Sequence, residues 1–128
     1  MFVRVLTGDD PVRAEQSIRF FERLEEGIEE ATTSESVVAE VVYVLTSPKW
    51  YRVPRHEVAD LVEPLLTSRG LRLPQRAVFI RALRLFSEHK IDIEDALSVA
   101  HMEHAGLETI VSYDRDFDAI PGVVRVEP

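Results

Sequence analysis

The chain has 128 residues, no cysteine and a net charge of −8, with 45% apolar and 30% charged residues. That length supports a single domain over 1–128, and the lack of cysteine excludes disulfides and thiolate metal sites. No apolar run approaches the ~20 residues of a membrane helix, and Met1 to Leu6 is too short for a signal peptide, so a cytoplasmic address away from membranes is expected.

In chain order, Phe2, Val3, Val5 and Leu6 suit a short helix that stops at Gly8. Asp10-Pro11 restarts the chain as N-cap and first helical residue. The helix that follows should turn Ile18, Phe21 and Leu24 inward and its glutamates outward. Ala31 to Thr33 reads as a short strand, with Thr32 and Glu35 as a capping box for the next helix. The run Val37 to Leu45 is β-branched enough for a strand, yet its length and cap predict a buried helix. Helices are expected over Pro54–Leu66 and Pro74–Glu88, with a strand at Leu71-Arg72-Leu73 between them. Asp92 should open another helix ending near Ala105. Thr109 to Ser112 is a strand, Asp114 to Phe117 a turn, and Val123 to Val126 a closing strand. Short strands alternating with helices predict an α/β fold, three-layer α/β/α with a mostly parallel central sheet.

The acidic total conceals an uneven distribution. From Lys49 to Lys90 there are nine basic and four acidic residues, while the remainder holds six basic and nineteen acidic. Such a basic middle between acidic ends can hold a polyanion beside a cluster of carboxylates, although scattered helix-surface charge gives the same count. Within it, Arg69, Arg72, Arg76, Arg81 and Arg84 are the candidates for phosphate contact. Trp50, with Tyr51, Arg52 and Arg55, can either stack on RNA or cover a core edge.

Three groups of acids could carry chemistry. Glu40 lies at the edge of an apolar helical stripe, where a carboxylate is costly unless paired, protonated or metal-bound. Asp92 and Asp95 suit a helix N-terminus, and the same geometry aims Asp95 towards the carboxyl edge of a parallel sheet. Asp114, Asp116 and Asp118 follow a strand at alternate positions. Acids converging from separate elements repel each other, and a divalent cation relieves this most simply. Oxygen-only ligands suit Mg²⁺ or Mn²⁺, ions that assist in-line displacement at a phosphodiester.

Asp92-x-x-Asp95-Ala-Leu, Ile110-Val-Ser-Tyr-Asp114-Arg-Asp116-Phe-Asp118 and Val123-x-Arg125 resemble the C-terminal half of a PIN-domain nuclease, most nearly the toxins of VapBC-type toxin–antitoxin pairs. Ser34 to Val41 resembles the family's second motif, and Phe2 to Pro11 the stretch after its first. The resemblance implies catalytic roles for Glu40, Asp95 and Asp114, with Asp116 as an accessory acid. It makes Asp95, Glu40 and Asp114 metal ligands and matches Ser112 to a hydroxyl position beside the last acid. It also implies Mg²⁺-dependent cleavage of RNA and an antitoxin that blocks the site. A homodimer is expected, with the helices around Leu61–Leu66 and Val78–Leu85 as candidate dimer or antitoxin surfaces.

One departure stands out: the family opens with an apolar strand ending in Asp-Thr-Asn, and this chain shows neither. Met1 stands within the helix that should follow, so the natural start is expected upstream, and the chain as given is expected to be impaired in catalysis. Two other readings compete with the nuclease. A degenerate PIN domain would bind RNA or a protein without cutting. A phosphoacceptor receiver domain suits Asp9-Asp10, but neither Lys49 nor Lys90 follows a late strand as its lysine should. His101 and His104, three apart on one helix, could pair at a metal. The helical wheel instead turns His104 towards the apolar side and His101 away.

Overall fold

A computed structural model describes residues 1–128. Helices α1 (Phe2–Thr7) and α2 (Pro11–Glu25) are followed by strand β1 (Ala31–Thr32), helices α3 (Glu35–Thr46) and α4 (Arg55–Leu66) and strand β2 (Leu71–Arg72). Helices α5 (Arg76–Glu88) and α6 (Ile93–His104), strand β3 (Thr109–Val111), a 3-10 turn (Arg115–Ala119) and strand β4 (Val124–Val126) complete the chain. The fold is α/β, and every strand pairing is parallel. The strands make two separate ladders, β1 with β2 and β3 with β4, rather than one continuous sheet.

Local chemistry accounts for the helix boundaries. Asp10 accepts the Arg13 N–H at 3.1 Å, with Pro11 behind it. For α3 the cap is Ser34, which accepts the Val37 N–H at 3.4 Å. Thr32 is taken up by β1 instead, so the expected Thr32–Glu35 box does not form and the cap lies two residues further on, at Ser34. Val38, Ala39, Val41, Val42 and Leu45 are buried along α3. Burial of this stripe overrides the strand preference of its valines. Ile18, expected inside, is 42% exposed, and Ser17 and Ala14 face the core in its place.

The core is built around α5 and α6, which share the most extensive helix contact in the molecule. Ala82, Ala96 and Ala100 are almost fully buried and bring the two helices close, while Phe79 and Leu83 fill the space around them. Each such large side chain contributes roughly 1.5–3 kcal/mol by leaving water. The apolar residues Val62, Leu66, Val78, Leu83 and Leu85 all lie in this core. The faces of α4 and α5 expected to supply a partner surface are therefore largely occupied internally, with Leu61 left at 36% exposure.

Arg55 locks the corner between α5 and α6. Its Nη1 donates to the carbonyl oxygens of Phe86 and His89, each at 2.9 Å, and also to that of Ile91. Its guanidinium lies 4.1 Å from the centre of the Phe86 ring. This arginine satisfies one carbonyl in the last turn of α5, its C-cap carbonyl and one in the connection to α6, and so fixes where α6, and hence its acidic first turn, begins. Parallel ladders are normally covered on both faces, yet Val111, Val124 and Val126 leave one face of the β3–β4 ladder open.

Candidate active site

The first turn of α6 concentrates three acids. Asp92 is the N-cap and accepts the Asp95 N–H at 2.7 Å, with Glu94 and Asp95 following inside the helix. A helix N-terminus tolerates negative charge, but three carboxylates in one turn also repel one another. The second group is set by the end of β3. Ser112 Oγ accepts the Asp114 N–H at 3.0 Å, and Asp114 Oδ1 accepts the Asp116 N–H at 2.9 Å. Phe117 and Ile120, both 3% exposed, anchor the turn to the core and hold these acids in place.

Electrostatics couples the two groups. Asp95, half-buried, has its pKa pushed up from 3.8 to about 6, first by burial and then by the negative charges of Asp92, Asp114, Asp116 and Glu94. No lysine, arginine or histidine forms an ion pair with any of these five carboxylates, although twelve ion pairs occur elsewhere. Asp118 differs. Arg125 Nε donates to it at 2.8 Å and holds its carboxyl below the usual range, while Arg125 Nη1 also donates to the Ser112 carbonyl at 3.0 Å. Of the three alternating acids, then, Asp118 pins β4 to the turn and Asp114 and Asp116 stay uncompensated.

Glu40 stands apart from the pair formed by Asp95 and the β3 acids. It is exposed on α3 and lines a cleft of about 590 Å³ with Asp92, Glu94 and Tyr43. The first turn of α6 thus separates two acidic surfaces: Asp95 with Asp114 and Asp116, and Asp92 and Glu94 with Glu40. Hard, uncompensated oxygen donors fit a divalent cation of the Mg²⁺ or Mn²⁺ kind. They do not converge tightly enough for any three to make a closed coordination group.

Of the five candidate arginines of the basic middle, Arg69 packs beside Gly27 and the other four are engaged with polar partners in the protein. Arg72 reaches Glu30 at 3.4 Å, Arg81 reaches Glu103 at 2.8 Å, Arg84 reaches Glu63 at 2.9 Å, and Arg76 donates to the Leu71 carbonyl. Trp50, 60% exposed beneath the Lys49 ammonium, covers no core edge, and its other sequence neighbours do not gather around it. Tyr51 donates to Asp9, Arg52 to the Pro48 carbonyl, and Arg55 is turned inward. The histidines reverse expectation: His101 is half-buried and hydrogen-bonded to Glu35 at 2.8 Å, and His104 is exposed. Glu94 and Tyr43 are cleft-lining residues that the sequence patterns do not single out. The signal for Tyr43 was its place three residues after Glu40, on the same helical face.

Acids at the carboxyl end of a parallel strand thus stand near acids at a helix N-terminus, a set of hard oxygen donors. The PIN domain family model matches residues 1–123, and the chain belongs to that family. PIN domains are typically metal-dependent nucleases, and nuclease is the class of activity this membership gives. No curated protein and no solved structure matches the chain. No helix is long and apolar enough to cross a membrane.

Proposed function

We propose that this chain is a Mg²⁺- or Mn²⁺-dependent endoribonuclease, the toxin component of a toxin–antitoxin pair, with Asp95, Asp114, Asp116 and Glu40 as its acidic site. The observation that carries the reading is Asp95: a half-buried carboxylate, raised to about 6 first by burial and then by four other acids, and ion-paired to no cation of the protein. Sites that perform acid–base or metal chemistry are where such clusters are tolerated. A bound divalent ion would supply charge neutralisation and an activated water for displacement at the phosphodiester. Asp95 and Asp114 are the residues proposed to hold it. Ser112 keeps Asp114 in place, and Asp114 in turn keeps Asp116 in place, through the two backbone hydrogen bonds of the turn. Cleavage of a single-stranded RNA that requires added Mg²⁺ and disappears in Asp95→Asn tests the assignment.

The second reading, a PIN domain that binds without cutting, is favoured by the absence of any closed three-acid group. Both ladders retain unpaired edges, and a two-stranded ladder alone is marginal in water. These edges are open to pairing with a strand of a partner. The open apolar face of β3–β4 supports an antitoxin or a second copy of the chain as partner.

The exposed ion pairs of Arg72, Arg81 and Arg84 are each worth only about 0–1 kcal/mol, so RNA phosphates can displace their glutamates. Changing all three to glutamine should reduce the salt slope of RNA binding by about two, from roughly 0.7 per neutralised phosphate on a single strand. An unchanged slope removes them from the interface.

A further inference from the structure

Arg125 grips both ends of the segment that carries Asp114 and Asp116. It stands in the middle of β4, and its side chain is 12% exposed. Nε and Nη2 donate to the two carboxylate oxygens of Asp118 at 2.8 and 3.3 Å, and Nη1 donates to the Ser112 carbonyl at 3.0 Å. Nη1 also reaches the exposed Glu127 at 3.1 Å. Every polar group of Ser112 is thereby used, because its N–H donates to the Val126 carbonyl at 2.9 Å and its Oγ accepts the Asp114 N–H. Asp114 Oδ1 then accepts the Asp116 N–H, which leaves Asp114 Oδ2 and both oxygens of Asp116 free of protein donors.

A guanidinium presents its donors in a rigid plane and can hold two separate acceptors at once, which an ammonium on a flexible stem does poorly. Here the fork spans residues 112 and 118 and bonds to neither acid between them. We infer that Arg125 is a positioning residue of the cation site: from β4 it closes residues 112–118 into a fixed loop that holds Asp114 and Asp116 beside Asp95. This rests on the reading of those three acids as a divalent-cation site and adds the residue that sets their geometry. Geometry and charge make opposite predictions for it. Removing a positive charge beside a cation site strengthens cation binding by Coulomb's law, whereas opening the loop weakens it.

The test compares the full chain with Arg125→Gln and Arg125→Lys in two measurements: Mn²⁺ affinity, from broadening of backbone amide signals, and amide hydrogen exchange without metal. Arg125→Gln should weaken Mn²⁺ binding about 10- to 100-fold, the range for loss of a hydrogen-bonded partner behind metal ligands. Exchange at Asp114 and Asp116 should speed up while α5 keeps the parent rates. Arg125→Lys, with the charge but no fork, should weaken binding as well. Tighter or unchanged Mn²⁺ binding in Arg125→Gln overturns the inference and leaves the cation site intact, as does parent affinity in Arg125→Lys. Faster exchange throughout the chain gives Arg125 a part in overall stability alone and overturns it too. If Arg125→Gln does not fold, Asp118→Ala cuts the fork from its exposed side; faster exchange at Asp116 is then expected, and unchanged exchange overturns the inference. A parent chain without saturable Mn²⁺ binding removes the cation site itself, and the inference with it.

Discussion

Asp95→Asn is expected to lower RNA cleavage by about 10³-fold or more, as loss of one essential active-site group does, and at the same time to stabilise the protein near neutral pH. The second effect follows from the first turn of α6. The folded-state pKa of Asp95, about 6, lies above its ordinary value of 3.8. Between those values the native state holds the proton more tightly than the unfolded chain does. The stability linked to Asp95 is thus fully present below about pH 4 and is lost as pH rises through about 6. A two-unit shift corresponds to about 3 kcal/mol without solvent screening, and partial exposure of the carboxylate reduces this to about 1–2 kcal/mol. Asparagine keeps the shape and removes the charge, so the gain should appear at pH 7–8 and vanish below pH 4. Denaturant unfolding across that range measures it; equal stability of the two proteins at pH 8 means that Asp95 is not under electrostatic strain.

The largest effect on folding is expected at Gly70. Its N–H donates to the Leu24 carbonyl at 2.7 Å, and its carbonyl accepts from the Ala31 N–H at 2.9 Å, so it joins the end of α2 to the start of β1. A Cβ there would lie 2.1 Å from the Glu29 carbonyl oxygen and 2.9 Å from that of Leu24. Both obstacles are backbone and cannot rotate away. Gly70→Ala should therefore part the β1–β2 ladder from α2, at a cost of about 3–5 kcal/mol. Against a total stability of about 5–15 kcal/mol, much of the protein would unfold on modest warming. A melting temperature within a few degrees of the parent is the opposing result. Gly8, which has open space around it, is the contrasting position: there the cost of alanine comes only from its left-handed backbone.

Helix positions were legible because capping residues and apolar periodicity agree along most of the chain. At α3 they competed with β-branched content, and burial decided the outcome. What single-element patterns do not encode is pairing across elements. Asp114, Asp116 and Asp118 look equivalent in sequence, and only Arg125, arriving from β4, neutralises one of them. His101 was assigned outward by its helical angle, but Glu35 on α3 supplies a partner that no wheel of α6 contains. The basic middle likewise appeared as free charge until Glu30, Glu63 and Glu103 met its arginines. Arg55 is the strongest case. Placed beside Trp50 and Tyr51 in sequence, it looks like part of a surface clamp, yet three carbonyls at the end of α5 draw it inward. The division of the acids into two surfaces depends on where that corner sets α6.

The proposed account depends on Asp95 and the acids after β3 sharing a cation. Backbone amide spectra during Mn²⁺ titration test this most directly, since the paramagnetic ion broadens signals near its site. The account predicts saturable broadening centred on residues 92–95 and 112–118, displaced by Mg²⁺, weakening as pH falls below about 6 and absent in Asp95→Asn. Broadening that is diffuse over the acidic surface, or unchanged by Asp95→Asn, would contradict it.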